Sequence, residues 1–318
     1  MFSLLDVAGL PALPPIEVLD VGARIEGRPR WAPLVARRAA HVTAFEPQAE
    51  DRARLEALGI GITCLPHVLG DGGPATFHIT HWPGNCSLYE PDPAVVDAFH
   101  GKAASRPQGG FHVVSTREVQ TTRLDDVPGL RPPDFIKLDI QAAELLVLQH
   151  GKSVLRSAVV VEAEAMFVTL YRDQPLFGEL QVFMRQHGFA FHRFMDLAGL
   201  VYRPLPVADP RLPVSQPGWA DAVFVRDPFR LSAWGDADLV RGAVVLHDLY
   251  GSFDLAMRLL AEHDARRGSR LADAYADRLR QAGPLPSRFV SLRQLGRPAG
   301  RRAGGSPGGL PGGQGAAR

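Results

Sequence analysis

The sequence predicts an α/β fold: a Rossmann-like, mostly parallel sheet with helices on both faces. Three observations predict it. Apolar runs alternate with helical patterns along most of the chain. The first run, Ile16 to Val21, passes through Asp20 and ends at Gly22-Ala23. The second, Val42 to Phe45, ends some twenty residues on at Glu46-Pro47. An apolar strand closing in a glycine turn, then a strand closing in an acid, is how the first two strands of a nucleotide-binding sheet read.

The elements follow in order. Ile16 to Val21 is the first strand, Trp31 to Arg38 a short helix, and Val42 to Phe45 the second strand. Pro47 to Leu58 is a helix with proline at its start and Gly59 at its end. Ile62 to Leu69 is the third strand, leading into the turn Gly70-Asp71-Gly72-Gly73. Residues 74 to 120 break the alternation: Ala75 to Thr80 and His112 to Val114 read as strands, and Pro83 to Leu88 as a loop. So long an excursion within a compact domain tends to be functional. Asp134 to Ile140 is the fourth strand, Ala142 to His150 a helix capped by Gly151, and Ala158 to Phe167 the fifth strand. Pro175 to His187 is an amphipathic helix ending at Gly188, and Phe189 to Leu197 and Ala222 to Arg226 are the sixth and seventh strands. The proline-rich stretch Leu200 to Trp219 reads as a surface excursion, and Asp236 to Ala282 as two or three helices.

The first turn decides the kind of nucleotide. Gly22-Ala23-Arg24-Ile25-Glu26-Gly27 lacks the second glycine of G-x-G-x-x-G, so the close approach to a pyrophosphate is not built. The pattern suits the methionine part of S-adenosylmethionine (SAM). Glu46 stands where a carboxylate accepts two hydrogen bonds from a ribose diol. Asp20 either caps the turn or contacts the cationic methionine portion. Asp71 either takes the adenine amino group or serves ordinary turn chemistry.

Phe135-Ile136-Lys137-Leu138-Asp139-Ile140 is the second signal. A central parallel strand is normally apolar on both faces, and Lys137 and Asp139 break that rule on one face. Asp139 lies at the carboxyl end, where open α/β sheets bind ligands. It is a candidate for holding the amino group of SAM, steering a substrate hydroxyl or accepting its proton; the structural alternative is a buried Lys–Asp pair or a helix cap. Glu162 and Glu164 share a face of the fifth strand, one suited to the acceptor pocket and the other to an arginine. Glu144 opens a helix, where the dipole favours a negative charge. No H-E-x-x-H or other close ligand spacing exists among the eleven histidines, so no metal is predicted. The absence of G-x-S-x-G removes the hydrolase reading.

Together these segments resemble the FkbM-type methyltransferases, a family of class I SAM-dependent enzymes. The resemblance rests on Asp20-Val21-Gly22-Ala23, Ala44-Phe45-Glu46-Pro47, Asn85-Cys86-Ser87-Leu88, Arg123-Leu124-Asp125-Asp126 and the run from Asp134 to Leu148. Glu164 to Phe177, Ala220 to Asp227 and His247 to Ser252 resemble one branch of the family. The resemblance implies a seven-stranded sheet whose last strand is antiparallel, and methyl transfer from SAM, usually to an oxygen of a sugar or secondary metabolite. It implies that Asp20, Gly22 and Ala23 form the SAM loop, that Glu46 and Pro47 lie at the ribose, and that Asp139 lies beside the transferred methyl. Glu164 is the second candidate base. Arg24 and Glu26 replace the family's Asn and second Gly, and Ala142 replaces the glycine of K-x-D-x-[EQ]-G-[AS]-E. Where that glycine takes positive φ, alanine costs ~1 kcal/mol.

Composition bounds the rest. The chain has 318 residues, 46% of them hydrophobic, enough for a large core. A net charge of +1 gives no case for nucleic acid or an anionic membrane surface. No window is apolar enough to span a bilayer, and the start lacks the basic region of a signal peptide. The two cysteines, Cys64 and Cys86, read as reduced thiols, which points to the cytoplasm. The expected organisation is a methyltransferase domain over 1–228, a helical extension over 229–295 and a disordered Gly/Pro/Arg tail over 296–318. The expected activity is O-methylation of a hydroxyl on a small-molecule or glycan acceptor. Two other readings stay open at this point: a SAM-binding pseudoenzyme acting as a partner module, motivated by Arg24 and Ala142, and an NAD-dependent oxidoreductase.

Overall fold

The computed structural model describes residues 2–23, 29–58, 61–208 and 215–283. Β-branched and aromatic runs form the strands β1 (Ile16–Val21), β2 (Ala40–Phe45) and β3 (Ile62–Leu65), joined by α1 (Ala32–Ala36) and α2 (Ala49–Glu56). The excursion holds β4 (Pro74–Thr80), α3 (Pro93–Val96) and β5 (Val113–Gln120). Then come β6 (Phe135–Leu138), α4 (Glu144–Gln149), α5 (Lys152–Ser157), β7 (Val160–Met166), α6 (Phe177–Gln186), β8 (Phe189–Leu200) and β9 (Gln216–Arg226). The helices α7 (Asp236–Tyr250), α8 (Phe253–Arg267) and α9 (Leu271–Ala282) follow.

Seven strands form one sheet in the order β3-β2-β1-β6-β7-β9-β8. β9 runs antiparallel to both of its neighbours, and the pairs from β3 across to β7 are parallel. Chain order runs one way from β1 to β3 and the other way from β6, so the switch point lies between β1 and β6. A crevice opens there at the carboxyl ends of the strands.

The period-2 alternation of each strand feeds two cores. Val18, Val42, Phe135, Val160 and Val223 pack on one face against Val244 and Tyr250 of α7, Leu259 of α8 and Tyr275 of α9. Leu19, Phe45, Ile136, Val161 and Phe224 pack on the other against Leu145 and Leu148 of α4 and Leu180 and Met184 of α6. The three C-terminal helices therefore cover a face of the sheet itself. A third cluster, with Phe99, Phe111, Met166, Leu170 and Tyr171, binds the excursion onto the end of β7.

Several boundaries differ from the sequence expectation. β3 stops at Leu65; the chain then leaves the sheet, and Leu69 bridges to Thr122 at the root of the excursion. Pro47 precedes α2 instead of opening it, because Gln48 is the N-cap residue. The two excursion strands pair with each other as a separate antiparallel ribbon. The proline-rich stretch is strand at both ends, since β8 runs to Leu200 and β9 begins at Gln216. Gly151 is not a left-handed cap: its φ is −132° and it precedes α5. Its reason is space, because a Cβ there would lie 2.6 Å from Leu124 Cδ2. The expected roles of Arg24, Glu26, Gly59 and the tail from 296 lie outside the described residues.

Candidate active site

A cavity of about 790 Å³ occupies the crevice at the switch point. Its floor is the carboxyl ends of β1, β2, β6 and β7, with Gly22, Glu46, Pro47, Asp139, Gln141 and Glu164 in its lining. Its roof is the excursion, which contributes Trp82, Asn85, Cys86, Lys102 and Phe111 among others.

Gly22 shows why the floor needs this sequence. Its φ is +80°, and a Cβ would lie 2.0 Å from the Asp139 carbonyl oxygen. The amides of Gly22 and Ala23 donate to Phe45 O, and the amide of Asp139 donates to Val21 O. Three strand ends are thus drawn together around a position that only glycine fits.

Strand register builds a charged layer beneath the floor. Asp20 pairs with Lys137 across β1 and β6, and Lys137 with Glu162 across β6 and β7. Trp31 Nε1 donates to Asp20 Oδ2 at 2.6 Å. Asp20 Oδ1 has no hydrogen-bond partner among the described residues. Burial pushes the Asp20 carboxyl above the usual range, against the pull of Lys137. Burial works against the Lys137 charge, but Asp139, Asp20, Glu162 and Asp221 outweigh it and hold the ammonium above its ordinary range. Glu162 meets Arg30 Nε at 2.8 Å and accepts from Tyr250 Oη of α7 at 2.8 Å. Burial, helped by the nearby Asp221 charge, still pushes its carboxyl up to about 7. Arg30 also pairs with Asp196 and Asp221.

Gln141 joins floor to roof. Its Nε2 donates to Glu164 Oε2 at 2.7 Å and reaches Asp139 Oδ1 at 3.4 Å. Tyr171 Oη lies 3.1 Å from Gln141 Oε1 and 3.0 Å from Asn85 O. Ser87 Oγ donates to the Gln141 carbonyl at 2.5 Å. Gln141 and Ala142 both have positive φ, 54° and 84°. Non-glycine residues held in that region mark a site where surrounding contacts fix the backbone. Burial, then the charges of Asp139, Glu144 and Asp221, drive the Glu164 carboxyl well above its ordinary range. Asp139 Oδ2 sits 3.2 Å from Lys137 Nζ. Glu144 accepts from the Ile140 amide at 2.8 Å, and burial pushes it up to about 8.

Of the residues singled out in the sequence, Gly22, Glu46, Pro47, Asp139 and Glu164 come together on the cavity wall. Asp20 and Ala23 are buried just outside its lining. Asp71 stays apart: it is exposed, accepts from the Gly73 amide at 2.8 Å and takes part in the turn with Thr121. That amide holds its carboxyl below the usual range. The cavity is lined near the third strand by His67, Val68 and Leu69 instead.

The profile of the methyltransferase FkbM domain matches residues 20–191, more than half of the chain. The chain belongs to the FkbM methyltransferase family. No curated protein matches it. Three solved structures are similar over about two thirds of this chain. One is magnesium protoporphyrin IX methyltransferase from Synechocystis PCC 6803 with bound SAM, 12% identical, covering 67% of this chain and 71% of that one with a TM-score of 0.33. A TehB-like SAM-dependent methyltransferase from Corynebacterium glutamicum is 9% identical, with 68% and 82% covered and a TM-score of 0.33. A methyltransferase described as putative, from Thermoplasma acidophilum, is 8% identical, with 67% and 69% covered and a TM-score of 0.33.

Family membership makes SAM the cofactor of this FkbM methyltransferase. The residues present fit it: the Gly22 turn leaves bare backbone at the floor, the Glu46 carboxylate stands at the end of β2, and the cavity volume is typical of ligand sites. Sequence reasoning missed Gln141, Tyr171 and Ser87. Gln141 carried a signal in K-L-D-I-Q, directly after the strand-end acid; Ser87 and Tyr171 fall in segments that carry the family resemblance, but their contacts, across 54 and 30 residues of separation, were not legible from it. Among the described residues no helix is long and apolar enough to cross a membrane, and no cluster of His, Cys, Asp and Glu could hold a metal ion.

Proposed function

We propose that the chain is a SAM-dependent O-methyltransferase acting on a hydroxyl of a sugar, glycan or secondary metabolite in the cytoplasm. The observation that carries this reading is the shared cavity wall: Gly22, Glu46 and Pro47 on one side, Asp139 and Glu164 on the other, under a roof supplied by the excursion. SAM supplies a methyl group activated on a sulfonium. Glu46 holds the ribose diol, with its geometry set by the Gln48 amide donating to Oε1 at 2.8 Å. The Gly22 turn carries the methionine portion, over the acidic layer that begins with Asp20.

The acceptor hydroxyl lies against Asp139, which orients it and takes its proton. Alignment of nucleophile and methyl supplies much of the rate, up to ~7–11 kcal/mol in favourable cases. Lys137 and the Gln141 amide fix the Asp139 carboxylate from two sides. Glu164, whose ionisation burial disfavours, is the second candidate base and is held toward the acceptor by Gln141.

The test is transfer of an isotope-labelled methyl from SAM to a panel of sugars and hydroxylated metabolites, with NMR assignment of the new bond. Labelled methyl on oxygen, reduced at least ~100-fold in Asp139→Asn, is the expected result. Label found on nitrogen, or an Asp139→Asn rate equal to wild type, contradicts the reading.

A further inference from the structure

The charges on the cavity wall are satisfied, with one exception. Asp139 faces Lys137, Asp196 and Asp221 face Arg30, Glu164 accepts from Gln141, and Glu46 accepts from the Gln48 amide. Lys102 also lines the cavity, and among the described residues its ammonium makes no ion pair. Its ammonium rests instead over two aromatic rings, 4.4 Å from the Trp219 centroid and 5.7 Å from that of Phe111. The rings hold the cation by their quadrupoles without neutralising it.

This placement is built. The Phe111 amide donates to the Lys102 carbonyl, and Phe111 itself is buried in the cluster that fastens the roof to β7. Gly101 takes φ +71°, and a Cβ on Gly109 would lie 2.0 Å from the Ala103 carbonyl oxygen. Two glycines, one by conformation and one by space, thus shape the loop that carries Lys102. Trp219 lies opposite Met166 at the carboxyl end of β7, two residues beyond Glu164. Lys102 thus stands on the β7 side, away from the Glu46 end of β2. Burial pulls its pKa down, with Glu164 the nearby charge opposing that effect. A bound anion would supply the missing counter-charge.

We propose that Lys102 is the counter-ion for an anionic group, carboxylate or phosphate, on the methyl acceptor. The substrate class is then a hydroxylated molecule bearing acid, such as a sugar acid or sugar phosphate, in place of a neutral sugar. The proposal rests on the reading of this cavity as the joint site of SAM and acceptor.

The test uses the full chain with S-adenosylhomocysteine and three probes: glucuronate, glucose 6-phosphate and glucose. S-adenosylhomocysteine binding is measured first by calorimetry, and its absence in wild type would overturn the cofactor reading independently of Lys102. Probe binding to the loaded protein is then read by saturation-transfer NMR. The expected result is that glucuronate or glucose 6-phosphate binds at least about tenfold more tightly than glucose. Lys102→Met should remove that preference, and Lys102→Arg should keep it. Binding of glucuronate alone assigns a carboxylate; binding of glucose 6-phosphate alone assigns a phosphate. Equal binding of all three probes, no binding of either anion, or an unchanged preference in Lys102→Met would overturn the proposal. S-adenosylhomocysteine affinity of each variant controls for folding.

Discussion

Gly22 and Ala142 occupy opposite ends of one constraint. Both have positive φ; Gly22 follows β1 and packs on the Asp139 carbonyl, and Ala142 follows the turn after β6. Gly22→Ala would place a methyl 2.0 Å from the Asp139 carbonyl oxygen, so the strand ends must separate. Denaturant unfolding should show a loss of at least ~2 kcal/mol, and S-adenosylhomocysteine binding should vanish with it. Ala142 sits at φ 84° without the freedom of glycine. Ala142→Gly should stabilise the protein by up to about 1 kcal/mol in urea, and unchanged or lower stability would mean that the buried methyl matters more than the strain. The sequence exposed the departure at this position, through the family pattern. It could not show the φ, which depends on where Ser87 and Glu164 hold Gln141.

At the scale of elements, parallel strands with strongly apolar runs were legible, and β1 occupies the segment the sequence predicts. The excursion was legible only as a break in the alternation. Its function as a roof depends on contacts between residues far apart in sequence, such as Tyr171 with Asn85 across 86 residues. Tyr171→Phe should therefore leave the sheet intact and loosen the roof. The expected outcome is faster amide exchange over residues 82–89, with a stability loss of about 1 kcal/mol. Gly151 was misread as a cap for a related reason: capping is local, whereas the contact that requires glycine there is Leu124, with β6 and α4 between the two in the chain. Gly151→Ala should cost ~1–3 kcal/mol by overpacking. A neutral effect would mean that Leu124 can move aside. The split between Glu162 and Glu164 was half legible. Period 2 put both on one face, but only the register with Arg30 and Tyr250 on one side and Gln141 on the other separates their roles.

Across the whole molecule, the sheet carries a buried charge layer from Asp20 through Lys137 to Glu162, closed by Tyr250 of α7. Glu144 and Glu162 have folded-state values of about 8 and about 7, above the 4.5 of a free glutamate. The folded state holds these protons more tightly than the unfolded chain. Their contribution to stability is fully present below about pH 4.5 and is lost as pH rises through 7 to 8. Urea titrations should show wild type losing stability between pH 5 and 8.5. Glu144→Gln, which keeps an oxygen for the Ile140 amide, should lose less over that range, by a difference on the order of a few kcal/mol. Identical pH slopes in the two proteins would contradict the assignment of a raised Glu144.

The central claim is that the β1–β2–β6 crevice holds SAM, with Glu46 at its ribose. Calorimetry of the full chain against S-adenosylhomocysteine, with NADH as the control ligand and Glu46→Ala as the control variant, tests it most directly. The account predicts micromolar binding of S-adenosylhomocysteine, no binding of NADH, and a loss of at least ~100-fold in affinity in Glu46→Ala. Binding of neither ligand, or a Glu46→Ala affinity equal to wild type, would contradict it.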